Sequence, residues 1–157
     1  MYGRTKTIDI KTEPGDFVRE VTARYIGPRR KSRSIQHAEH AAEFMRSLLR
    51  DHAREHFIAL YLSGCHHVVS HSLVSLGTAT ASLVHPREVF QPAILVGACA
   101  LIVGHNHPSG GLTESPEDIK VTWTIRHTGA FLGIPLLDHI IFDREGFSSL
   151  KEKGRLD

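Results

Sequence analysis

Ala98-Cys99-Ala100-Leu101-Ile102-Val103-Gly104-His105-Asn106-His107-Pro108-Ser109 is the stretch on which the fold turns. Its first seven residues form a short, unbroken apolar run, which predicts a buried strand ending at the first histidine. Alternate residues of a strand point the same way, so His105 and His107 should leave the strand end on one side. Read onward to Ser115 and Asp118, the pattern is H-x-H-x7-S-x2-D. Two imidazoles and a carboxylate suit zinc, and three protein ligands leave a fourth tetrahedral position for water. That is the arrangement of a hydrolytic site; a closed structural site would take four ligands, usually with cysteine.

Ser115-Pro116-Glu117-Asp118 reads as a helix start, with serine as N-cap, proline at the first helical position and acids in the first turn. Asp118 then sits one turn into a helix, where it can reach back toward the imidazoles. The same S-x-x-D step is also the ordinary signature of a capping box, and the two roles are compatible. His-x-His alone is a weak signal in a chain with 12 histidines. The conjunction of strand, His-x-His, glycine-containing turn, helix start and aspartate carries the argument.

These residues resemble the zinc signature of the JAB/MPN (JAMM) metalloprotease fold. More narrowly, the run from His105 to Gly110 resembles the RadC family, together with Leu136-Leu137-Asp138-His139-Ile140-Ile141 and His85-Pro86-Arg87-Glu88-Val89-Phe90. The likeness runs from about Ser34 to Lys153. It implies an α/β, α+β layered fold, a cytidine-deaminase-like JAB/MPN sheet flanked by helices. Full-length RadC proteins also carry a helix-hairpin-helix region, for which the residues before Ser34 are too few. The chain is therefore similar to a short, single-domain form, with an extended arm and basic linker over 1–33 and the domain over 34–157.

The resemblance also implies roles. Zn2+ would be held by His105, His107 and Asp118, and a glutamate from an earlier strand would act as general base on the attacking water. Glu55, in Arg54-Glu55-His56-Phe57 at the head of an apolar strand, is the best match; Glu88 is the competitor, with a first-turn helix charge as its plainer explanation. Ser115 resembles the family serine whose hydroxyl stabilises the tetrahedral oxyanion. Asn106 and Ser109 match no family role and are expected to shape the loop.

Composition permits this reading. The 157 residues are 41% hydrophobic and 23% charged, enough for one domain with a real core. No apolar run approaches 18 residues and the first residues lack a signal-peptide core, so a soluble, cytoplasmic protein with no membrane partner is expected. Cys65 and Cys99 form no C-x-x-C and lie among apolar neighbours, which predicts two buried free thiols.

Periodicity and turn signals predict an N-terminal hairpin arm, with strands over 8–13 and 19–26 around Pro14-Gly15. A first helix follows over 35–52, with Ala38, Ala41, Ala42, Met45, Leu48 and Leu49 at helical spacing. Strands are expected over 57–62, 68–76, 99–104, 134–142 and 147–150, and helices over 87–96 and 116–132, layered around one sheet. The segment 24–33 contains five positive charges and no acid. It reads either as a solvated linker or as a patch where Arg29, Arg30, Lys31 and Arg33 make weak nucleic-acid contact. A formal net charge of +2 argues against the whole protein being an electrostatic nucleic-acid binder. His66, His67 and His71 cluster between two strands as a fortuitous surface metal site, with no function built on them.

Two functions of different class follow. One is a zinc-dependent peptidase or isopeptidase acting on a peptide or protein substrate in extended conformation beside the sheet. The other, implied by the RadC resemblance, is a DNA-repair-associated accessory protein with a non-catalytic metal site. No helix-turn-helix, zinc-finger or RNP pattern supports the second. A zinc nucleobase deaminase would need H-x-E and P-C-x-x-C, which are absent. A homodimer is compatible with either.

Overall fold

The computed structural model describes residues 30–77 and 84–156, and the expected N-terminal hairpin arm lies outside them. In chain order the elements are α1 (Ala38–Leu48), β1 (His56–Leu62), β2 (Val68–Leu76), α2 (Pro86–Leu95), β3 (Ala100–Asn106), α3 (Pro116–Leu132), β4 (Leu136–Phe142) and β5 (Phe147–Ser149). The strands form one mixed sheet in the order β2-β1-β3-β4-β5. Among the described strands only β3 and β4 pair in parallel, because α3 carries the chain back across the sheet between them.

β1 and β3 are buried along their whole length, as continuous apolar runs at the centre of a covered sheet should be. One face, with Ile58, Leu60, Leu62, Ile102, Ile140 and Phe142, packs against Ala41, Ala42 and Met45 of α1. The other, with Phe57, Ala59, Tyr61, Leu101, Val103 and Ile141, packs against Val89 and Phe90 of α2 and Val121 and Ile125 of α3. The architecture is thus the expected α/β fold in three layers. Helix α1 approaches so closely that a Cβ at Gly104 would stand 2.5 Å from Met45 Sδ and 2.7 Å from the Ile140 carbonyl oxygen. Gly104 is the residue before the first site histidine, so this close approach also seats that histidine's backbone.

Two expectations need correction. The first helix is shorter than 35–52. Ser34 bridges His67 and the Ile35 N–H reaches the His66 carbonyl, so Ile35 joins the edge of the sheet, while Leu49 is already extended. Cys65 and Cys99 are free but exposed. Cys65 lies in the β1–β2 turn, and Cys99 precedes β3 between the buried Ala98 and Ala100, so its side chain faces out.

In the basic segment Arg30 and Lys31 are exposed, whereas Arg33 is ion-paired with Glu43 of α1. Among the described residues no helix is long and apolar enough to cross a membrane.

Candidate metal centre

The ladder between β1 and β3 ends at the rung joining Phe57 to His105. Beyond it the Asn106 side chain takes over. Its Nδ2 donates to the Arg54 carbonyl at 2.8 Å and its Oδ1 accepts the His56 N–H at 2.8 Å. Asn106, expected only to shape the loop, thereby holds the backbone on both sides of Glu55.

His105 is buried on the α2/α3 face, stacked on Phe57 with ring centroids 6.0 Å apart. Its Nε2 lies 3.0 Å from Nε2 of His107 and 3.2 Å from Oδ1 of Asp118. Burial holds the His105 imidazole down to about 4, despite the opposing pull of Asp118, so the ring is neutral at physiological pH. His107 donates from Nδ1 to the Gly111 carbonyl at 2.8 Å, which leaves its Nε2 as an acceptor when the ring is neutral. The loop can present that carbonyl because Gly110 and Gly111 take φ of 79° and 94°, a region costly for residues with a Cβ.

Asp118 is fixed by the start of α3. Its Oδ2 accepts the Ser115 N–H at 2.8 Å and the Ser115 hydroxyl at 2.7 Å, while its own N–H donates to Ser115 Oγ at 3.1 Å. The capping box and the candidate ligand are one carboxylate: Oδ2 closes the cap and Oδ1 faces His105. The hydroxyl hydrogen of Ser115 is directed at Asp118, so donating to an oxyanion requires exchanging that bond.

One ligand atom each from Glu55, His105 and His107 lie within 4.8 Å of one another, while Asp118, the expected third ligand, lies outside that group with its Oδ1 3.2 Å from His105 Nε2. Glu88 is exposed in the first turn of α2 and joins no such cluster among the described residues. His66, His67 and His71 form none either. The donor chemistry of imidazole and carboxylate fits zinc. Around His105 Nε2, with His107 Nε2 at 3.0 Å and Asp118 Oδ1 at 3.2 Å, imidazole nitrogens and a carboxylate oxygen stand close enough to offer a cation mixed N and O donors.

Sequence reasoning missed two residues here. His139 entered only as part of a resemblance, yet it is fully buried with Nε2 2.9 Å from His105 Nδ1. Thr122, one turn into α3 beyond Asp118, lies with Oγ1 2.6 Å from His139 Nδ1. The available signal was a histidine inside an otherwise apolar strand, since a buried polar group needs a partner.

Comparison with known proteins identifies the family. A family profile described as RadC-like JAB domain matches residues 35–155. A UPF0758 protein of Shouchella clausii is 48% identical over 120 residues, covering 76% of this chain and 52% of that protein. One from Bacillus licheniformis is 45% identical over 122 residues, covering 78% and 54%. One from Staphylococcus aureus is 45% identical over 116 residues, covering 74% and 51%. The chain spans about half the length of the curated relatives it matches.

Proposed function

The chain belongs to the RadC-like JAB domain family, and from that premise we propose that it is a zinc-dependent hydrolase of amide or isopeptide bonds. His105, His107 and Asp118 would hold the metal, and Glu55 would serve as general base. The observation that carries the reading is the meeting of Glu55, His105 and His107 within 4.8 Å of one another, with Asp118 Oδ1 3.2 Å from His105 Nε2.

Bound there, zinc would polarise the scissile carbonyl and bring a water's pKa toward neutrality. Glu55 takes the proton of the attacking water and delivers it to the leaving amine, a role suited to a carboxylate whose flanking backbone is clamped. Phe57 and the buried strand ends keep solvent from the inner side of the imidazoles, where charges act more strongly than in water. Ser115 holds Asp118 in its rotamer and can offer its hydroxyl to a developing oxyanion once that bond exchanges.

An extended peptide is the substrate class that fits. Among the described strands β2 is an edge, met at its start by residues 33–35; beyond that start Val69, Leu73 and Leu76 are exposed, and it ends where the Gly77 N–H meets the Glu55 carbonyl at 2.9 Å. A strand added along that edge runs toward the base.

The test combines metal content with paired substitutions. Protein purified without chelators should carry one zinc per chain, and His107→Ala should lose it. Glu55→Gln should keep zinc while hydrolysis of a peptide or isopeptide substrate falls by about 10²-fold to 10⁴-fold. Glu88→Gln should leave turnover intact. Protein that neither carries a divalent metal nor takes one up on reconstitution contradicts the proposal. Loss of zinc in Glu55→Gln would instead make Glu55 a ligand.

A further inference from the structure

We infer that Thr122 and His139 form a hydrogen-bond relay that fixes the tautomer of His105 and presents its Nε2 lone pair to the metal, an inference that rests on the zinc reading above. The direction of each bond follows from counting hydrogens. The Thr122 hydroxyl donates its single hydrogen to the Asp118 carbonyl at 2.6 Å. Toward His139, 2.6 Å away on its other side, the same oxygen can therefore only accept, so His139 carries its hydrogen on Nδ1. His139 is completely buried, with the Thr122 hydroxyl and the His105 ring as the hydrogen-bond partners of its ring and, among the described residues, no carboxylate to offset a charge, so it has no second hydrogen and its Nε2 is an acceptor. Across 2.9 Å that nitrogen must receive a hydrogen from His105 Nδ1. With its ring hydrogen engaged at Nδ1, the buried His105 is left with a bare Nε2, the atom that faces His107 and Asp118.

The parallel register makes the chain of contacts possible. His139 pairs with Val103, so it stands on the same face as His105, one diagonal step back along the sheet. Phe57 closes the other side of both rings, edge-on to His139 at 5.5 Å and stacked on His105. The relay begins at the main chain of Asp118 and ends at His105, so one helical turn fixes both ligands relative to each other. A metal-bound imidazole commonly has its remote nitrogen held in this way, though usually by a carboxylate or carbonyl. Here a second histidine does so, and Thr122 decides which of that histidine's nitrogens is protonated. Both are positioning residues.

The experiment uses the whole chain, with zinc as probe. In metal-free protein, nitrogen-15 spectra of the histidine rings should show His105 and His139 each protonated at Nδ1 and bare at Nε2. Thr122→Val keeps the shape of a buried side chain but removes the hydroxyl; a His105 population protonated at Nε2 should appear, and zinc affinity by chelator competition should fall about 10-fold to 100-fold. Thr122→Ser restores the hydroxyl and should bring back both the spectrum and the affinity, which a purely structural role for the threonine would not require. Should Thr122→Val fail to fold, the wild-type spectrum and the serine variant still decide: Nε2-protonated His105 in the wild type, or loss of affinity in Thr122→Ser equal to that of His139→Ala, overturns the relay. Unchanged zinc affinity in a folded Thr122→Val overturns the relay alone. A wild-type protein that binds no zinc overturns the proposed function and the relay together.

Discussion

Asn106 is bonded to His56 across the sheet where no main-chain rung exists: its Oδ1 accepts the His56 N–H at 2.8 Å, while its Nδ2 holds the Arg54 carbonyl. The residue enclosed between those two contacts is Glu55. Because Asn106 is adjacent in sequence to His105, the amide ties the backbone around Glu55 to the imidazoles.

Asn106→Ala should therefore separate proton transfer from metal holding. Zinc affinity is expected to change little, while turnover falls by about 10²-fold, as for a catalytic group displaced by an ångström. The two orphaned backbone groups should also cost about 1–3 kcal/mol of stability. Denaturant midpoints, zinc titration and kinetics on one preparation check all three, and unaltered turnover would show that the clamp does not position Glu55.

Ser115→Ala removes a cap and loosens the proposed ligand Asp118 at once. The helix should lose about 1 kcal/mol, and zinc affinity should fall with it because Asp118 Oδ2 keeps only the backbone N–H. Turnover lost with stability and zinc affinity both intact would instead identify the hydroxyl as an oxyanion donor.

The buried imidazoles make the metal-free protein acid-sensitive. Burial holds His105 down to about 4 and His139 well below its ordinary value, helped by the neighbouring imidazoles. The unfolded chain takes up protons on these rings below about 6.5, where the folded one does not. Their stability contribution is complete above that pH and is lost as pH falls toward 4, at up to about 1.4 kcal/mol per pH unit for each ring. Urea midpoints of metal-free protein should drop between pH 7 and pH 5; a flat profile would mean the rings are charged in the fold.

Glu114 ties the loop between His107 and Ser115 to the chain's last turn, through Lys153 Nζ at 2.6 Å and Arg155 Nε at 3.1 Å. The Lys153 bond, with Glu114's own backbone and Arg155 behind it, brings the carboxyl down to about 2. This stabilisation is present above about 4.5 and disappears as pH falls through about 2. Lys153 and Arg155 are more than a third exposed, so Glu114→Gln should cost no more than about 1 kcal/mol at neutral pH. Thermal melts of the two proteins should converge near pH 2, and a difference that persists there would assign the effect to packing.

What could be read from the residues alone depended on whether the governing signal was local. The third helix was legible to its ends: Ser115 and Pro116 open it, and Gly133, at φ 71°, closes it in the left-handed conformation. That His105 would lie near both His107 and Asp118 was legible because a strand end and a helix start are both short-range patterns. The first helix was overextended because Ile35 fits a helical period and only its pairing with His66 pulls it into the sheet. The cysteines were misjudged because apolar neighbours do not reveal which way a side chain points at a strand's entry. Thr122, His139 and the clamp at Asn106 depend on which strands adjoin and in what register, and periodicity is silent on that.

The crossover through α3 has a consequence for the order in which the protein assembles. His105, His107 and Asp118 come together by closing a short loop, whereas Glu55 is recruited when His56 meets Asn106 from 50 residues away. Closing the longer loop costs about 1 kcal/mol more in chain entropy, so the β3–α3–β4 unit should be the earlier and more persistent half. Under mild denaturant, ion retention should outlast turnover: as β1 loosens, the chain would hold a metal that it can no longer use.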